Sequence, residues 1–292
     1  MPPPPSAGHE AVEEWTVVKP RTRGRRRHSS SAGRIRAADS RKPAPPDRRP
    51  VVNASSSRDA CRPVAEIAAE YERIRASWTA SEACAALRRI AAAAGPVSRA
   101  VCLGIGTFDP PDGSWDAKRR TFLQLVAFLV MVQELEKHSA APIACTFQEP
   151  AFSASDRAFI TSLGHAVVDS PAAFALAGPR ALLFGVHLYR PVYARALPCA
   201  DSPPAIFVGT GWDVWDQLCL PDTADLEPLR AMHSTHTVVP FPSDPSTTAF
   251  SSTSIYYRAA SQVAGEASAS AADDSVGRKG SASSDDKPEE PT

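Results

Sequence analysis

The chain has 292 residues and no formal net charge, and 43% of its residues are hydrophobic. This length holds one large domain or two small ones, and the apolar content is enough to build a core. No apolar stretch reaches the roughly 18 residues of a membrane-spanning helix, and no secretory h-region is visible, so we expect no membrane contact and no export. The six cysteines show no CxxC pair and no zinc-ligand spacing, which favours a reducing compartment, cytosol or nucleus.

The charges are unevenly distributed along the chain. Residues 1–62 carry 14 basic and six acidic side chains, whereas residues 259–292 carry three basic and seven acidic ones. Both segments are rich in small or polar residues, which predicts a disordered basic arm over 1–62 and a disordered acidic tail over 259–292. The basic run Arg21–Arg27 indicates either a nucleic-acid contact, a signal for the import machinery, or a solvated tail, and the sequence leaves the three open.

Residues 63–258 alternate between helix-like and strand-like patterns and form the predicted domain. Two helices are expected before residue 95, because apolar side chains recur there at helical spacing. Thr79 and Glu82 have the spacing of a capping box, which predicts that the second helix begins at this pair. Next come a buried strand over 99–105, a long helix over 117–138, a strand over 143–147, and a short helix that Ser153 caps and Gly164 ends.

The same alternation continues in shorter units. Strands are expected over 166–168, 181–186 and 205–208, helices over 189–198 and 212–219, and edge strands over 238–240 and 253–257. Strands that alternate with helices are typical of βαβ units. The sequence therefore predicts an α/β fold, Rossmann-like, with a mostly parallel sheet flanked by helices.

A glycine turn at the end of the first strand is the first candidate site. Gly104 and Gly106 lack a Cβ atom where the backbone turns, so that a phosphate, a ribose or an adenosine can approach, or the turn is simply tight. Glu149 follows the second strand, where an acid can accept hydrogen bonds from ribose hydroxyls or merely mark a strand exit. Glu149 lies 43 residues after Gly106 instead of the usual ~20, and a third glycine is missing, which disfavours the standard dinucleotide site.

Two further residues follow strands at the same predicted edge. His187 comes directly after an apolar strand and is either a general base, a haem or metal ligand, a substrate contact or a structural residue. Gly209 follows the apolar run of the fifth strand and is expected to contribute a wall to the same crevice. His233 and His236 are expected to be surface residues of a loop, because no further metal ligands accompany them. We assign no catalytic residue and no metal site.

Five segments resemble, in order and spacing, motifs of the "sensitivity to red light reduced" (SRR-like) family, in its fungal type. They are Cys102–Phe108, Gln124–Leu125, Phe147–Phe152, Leu182–His187 and Ala249–Ile255. The chain departs from the family pattern beside its histidine, where Val186 and Leu188 replace a proline and a cysteine, and at Ser252, where an acid is usual.

The resemblance implies a regulatory protein with an SRR-like domain, linked to circadian or light signalling and to haem metabolism, in cytoplasm and nucleus. We expect action through protein partners, and the strand ends make Gly104, Gly106, Glu149, His187 and Gly209 the candidate crevice for a small ligand, haem or an adenosine-containing molecule. The alternative is a nucleotide-cofactor enzyme such as an S-adenosylmethionine-dependent methyltransferase. Whether any reaction is catalysed stays open.

Overall fold

The computed structural model describes residues 61–197, 200, 202–218 and 222–259. The predicted disorder of the basic arm and of the acidic tail falls almost entirely outside these residues. The domain boundaries at 63 and 258 therefore stay predictions.

In the described part of the chain, seven strands form one sheet in the order β3-β2-β1-β4-β5-β7-β6. The strands are β1 (Arg99–Leu103), β2 (Ala144–Gln148), β3 (Ala166–Val167), β4 (Ala181–Gly185), β5 (Ile206–Thr210), β6 (Thr237–Pro240) and β7 (Thr253–Tyr257). The first five are parallel, and β7 and β6 continue the sheet antiparallel. This mostly parallel order confirms the predicted α/β fold.

Helices cover both faces of the sheet. They are α1 (Val64–Thr79), α2 (Glu82–Ala93), α3 (Trp115–Glu136), α4 (Ala154–Ser162), α5 (Arg190–Ala196), α6 (Trp212–Gln217) and α7 (Glu227–Thr235). On one face, helices α1, α2, α3 and α4 pack against strand side chains such as Cys102 and Phe184. On the other face, α5 and α7 pack against Leu103 and Phe207. Successive strand residues serve opposite cores, as the pleat requires for a sheet buried on both faces.

All seven predicted strands are present, with ends that differ by at most two residues. Two local predictions were wrong. Thr79 is the last residue of α1, and Ser81 caps α2 instead, its hydroxyl accepting from the Cys84 N–H at 3.2 Å. His233 and His236 lie in and directly after α7 instead of in a loop, and His236 is buried.

The long helix α3 has a buried stripe that packs on α1, α2 and the sheet, as its apolar periodicity predicted. It also carries several charged side chains. Over the residues that the structure describes, we find no helix with both the length and the apolar character needed to cross a membrane.

Candidate functional site

The carboxyl ends of the parallel strands form one edge of the sheet, which we call the carboxyl edge. Because β2, β1, β4 and β5 are neighbours, Glu149, Gly104, His187 and Gly209 all lie along it. The chain leaves β1 towards β2 and later returns to β4 on the other side, so the strand order reverses between β1 and β4. Open α/β sheets bind ligands in the crevice at such a reversal.

Glu149 joins the two loops on one side of this crevice. Its Oε2 accepts the N–H of Gly106 at 2.7 Å, and its Oε1 accepts the N–H of Ala151 at 2.8 Å. Only 8% of the residue is exposed. Hydrogen bonds from backbone N–H groups to a carboxylate are charge-assisted and strong. Glu149 therefore holds the glycine turn to the start of the next loop, and neither oxygen is free of a protein donor.

A second carboxylate strengthens the same junction. Asp156, in the first turn of α4, is fully buried, and its Oδ2 accepts from the Thr107 hydroxyl at 2.6 Å and from the Ser153 N–H at 2.9 Å. The Ser153 hydroxyl in turn accepts from the Asp156 N–H, which completes a capping box. The predicted cap at Ser153 is confirmed, and it also anchors the loop that follows β1.

Leu188 occupies the crevice between β1 and β4. A Cβ atom added to Gly104 would lie 2.2 Å from Leu188 Cδ2, and one added to Gly185 would lie 2.5 Å from Leu188 Cδ1. His187 has a φ of 57° and Gly104 a φ of 64°, so the segments after β4 and after β1 both turn sharply here. The glycines thus make room for a leucine side chain of the protein itself, at the place where this kind of sheet receives a ligand.

Gly209 serves packing in a similar way. It pairs with Gly185 across β5 and β4, and an added Cβ atom would lie 2.5 Å from Phe207 Cζ and 2.9 Å from the Gly185 oxygen. Tyr193 closes this region, because its buried hydroxyl donates to the Gly185 oxygen at 2.6 Å and accepts from the Thr210 N–H at 2.9 Å. Gly209 is therefore enclosed by protein atoms.

His187 is exposed and contacts the loop before β7. Its Nε2 lies 2.7 Å from the Ser251 carbonyl oxygen, which can only accept, so Nε2 carries the proton. This contact fixes the ring against the segment that resembles the closing motif of the family. The cavities with lining residues at Arg180, Trp115, Tyr71 and Trp78 do not include His187, Gly104, Glu149 or Gly209.

The Cys102 thiol of β1 is not activated as a nucleophile. Burial raises the pKa of the Cys102 thiol well above its ordinary value, and the Glu149 carboxylate raises it further. A thiol held in this way is inert. A search of the described ranges for three or more grouped histidine, cysteine or acidic side chains that could hold a metal ion finds none.

Sequence reasoning missed two residues that shape this edge, Leu188 and Tyr193. The replacement of a family cysteine by Leu188 was the available signal, since a larger apolar side chain after a strand indicates filled space. Tyr193 carries no comparable signal, because its partners Gly185 and Thr210 lie on two different strands.

Comparison with known proteins identifies one family. The model of the SRR1 domain matches residues 77–257. No curated protein and no solved structure matches the chain. The matched range includes β1, the crevice at Leu188 and all seven strands, which is more than half of the sequence. On this evidence the chain belongs to the SRR1 domain family, as its motifs indicated.

Proposed function

We propose that the chain is a regulatory protein that acts by binding protein partners at the carboxyl edge of its SRR1 domain. One observation carries the proposal: Leu188 fills the crevice between β1 and β4 with a protein side chain. Since both oxygens of Glu149 also accept backbone N–H groups, the crevice between β1 and β4 offers a formed surface in place of an open small-molecule pocket.

Exposed aromatic side chains flank that surface. Trp115 at the start of α3 is 59% exposed, and Tyr189 just before α5 is 75% exposed. The Arg119 guanidinium lies 5.5 Å from the centre of the Trp115 ring, which holds the indole in place. Tryptophan, tyrosine and arginine are the side chains that most often anchor protein interfaces, because they bury much area at low entropic cost.

Family membership alone supports the finer parts of this proposal. It is the basis for a role in circadian, light or haem-linked regulation, in cytoplasm and nucleus, and for the fungal type. No contact of the described residues favours the methyltransferase alternative or a small ligand at Gly104, Gly106, Glu149, His187 and Gly209, and both stay predictions.

Affinity capture from cell extract tests the proposal. The full chain is compared with the double variant Trp115→Ala, Tyr189→Ala and with the control Arg89→Gln, which changes an exposed arginine on α2. Trp115, Tyr189 and Arg89 are all exposed, so the wild type and the two variants should melt at the same temperature. We expect at least one protein that the wild type and the control retain and the double variant loses. Identical sets of retained proteins from all three would contradict the proposal.

A further inference from the structure

A cavity lies at the opposite edge of the sheet, where the parallel strands begin. Its volume is about 550 Å³, within the range of small-molecule sites. The segments before β1, β2, β4 and β5 surround it, together with His236 before β6 and Arg258 after β7. We propose that this cavity binds a small phosphate-bearing molecule, a site that goes beyond the partner surface and does not depend on it.

The charge of the lining carries the proposal. Arg180 and Arg258 line the cavity with His138 and His236, and no acidic side chain is present among its described lining residues. The Arg180 side chain makes no hydrogen bond or ion pair within the described ranges, so its donors are available to a ligand. An arginine fork matches the geometry of a phosphate group.

His236 is a buried polar residue in the lining of the same cavity. The ring is only 8% exposed, and its Nε2 makes no well-formed hydrogen bond in the described structure. Burial lowers the pKa of His236 and the neighbouring Arg258 lowers it further, although the carbonyl groups of Pro204 and Met232 favour the charged ring. An anion bound in the cavity would act in the opposite sense and favour the charged form of the ring.

The remaining walls suit a molecule larger than phosphate itself. Prolines and small apolar residues make up much of the lining, among them Pro96, Val97, Pro142 and Pro204. The end of α3 also points here, and the carbonyl end of a helix repels anions. However, the carbonyls of Leu135 and Glu136 already accept the N–H groups of His138 and Ser139, which weakens that repulsion.

Isothermal titration calorimetry of the full chain tests the site. The probes are inorganic phosphate and adenosine 5′-monophosphate, with adenosine as the uncharged control. We expect saturable binding of the two phosphates and none of adenosine. Arg180→Gln should weaken the binding by about tenfold or more, since a hydrogen bond to a charged group contributes about 1.5–3 kcal/mol. Arg89→Gln should change nothing.

Two results would overturn the inference. One is the absence of saturable binding of either phosphate to the wild type. The other is equal binding to the wild type and to the double variant Arg180→Gln, Arg258→Gln, which would place the anion elsewhere, for example on the basic residues before residue 61. Each variant is first compared with the wild type in melting temperature without ligand. Failure of this site leaves the partner surface on the other edge unaffected.

Discussion

At the scale of single residues, contacts decide what the carboxyl edge can do. The glycines of the first turn and the acid after β2 were predicted from the sequence, and both lie where the strand ends place them. Their partners were not predictable. Glu149 bonds to Gly106 across 43 residues of sequence, and Leu188 lies over Gly104 from a different strand. A pattern of residue types shows that a turn exists, but it does not show which side chain fills the space above it.

Two substitutions test whether Leu188 fills the crevice. Gly185→Ala places a methyl group 2.5 Å from Leu188 Cδ1, and it should destabilise the domain by about 1–3 kcal/mol, the usual cost of overpacking. Leu188→Ala removes Cδ1, the atom that the new methyl group would strike. Gly185→Ala should therefore lower the free energy of unfolding clearly less in a protein that already carries Leu188→Ala. Urea unfolding of the four proteins gives the coupling free energy.

Gly104→Ala is the matched control for this cycle. Its Cβ would also strike Leu188, but its φ of 64° disfavours any side chain there, so Leu188→Ala should rescue it only in part. Additive free energies of unfolding for Gly185→Ala and Leu188→Ala would show that the leucine does not occupy the crevice.

At the scale of elements, periodicity and caps predicted most of the chain. The five parallel strands and the long α3 have continuous apolar patterns, and their ends carry glycine, proline or serine. Helix α7 escaped prediction because Leu229 and Met232 are its main apolar contacts and no capping side chain marks its start. The start of α2 was misplaced because Thr79 and Ser81 both precede an acidic residue within the first turn, and spacing alone does not choose between them.

The cap of α4 has a second role that can be measured. Ser153→Ala should cost about 1 kcal/mol, as the loss of an ordinary helix cap does, and Ser81→Ala on α2 should cost about the same. Asp156→Ala should cost more, about 2–4 kcal/mol, because it also leaves the half-buried Thr107 hydroxyl and the Ser153 N–H without their acceptor. Guanidinium unfolding of the three variants gives these differences. Equal costs for Ser153→Ala and Asp156→Ala would show that α4 does not anchor the loop after β1.

At the scale of the whole molecule, the order of strands and helices was enough to predict the fold class. Which edge of the sheet is open depends on loops that are distant in sequence. Residues from six segments surround the cavity at the amino ends of the strands, and no single motif marks it. The expectation of a ligand site at the carboxyl edge is therefore restricted: Leu188 fills the crevice between β1 and β4, and a separate cavity lies at the opposite edge.

Calorimetric titration of the full chain with S-adenosylmethionine tests the closed carboxyl edge most directly. This molecule carries no phosphate, so it does not report on the cavity with Arg180. Because Leu188 fills the crevice and both oxygens of Glu149 already accept backbone N–H groups, we predict no saturable heat with the wild type. Saturable binding that Glu149→Gln abolishes, in a variant that remains folded, would contradict the account and restore the methyltransferase alternative.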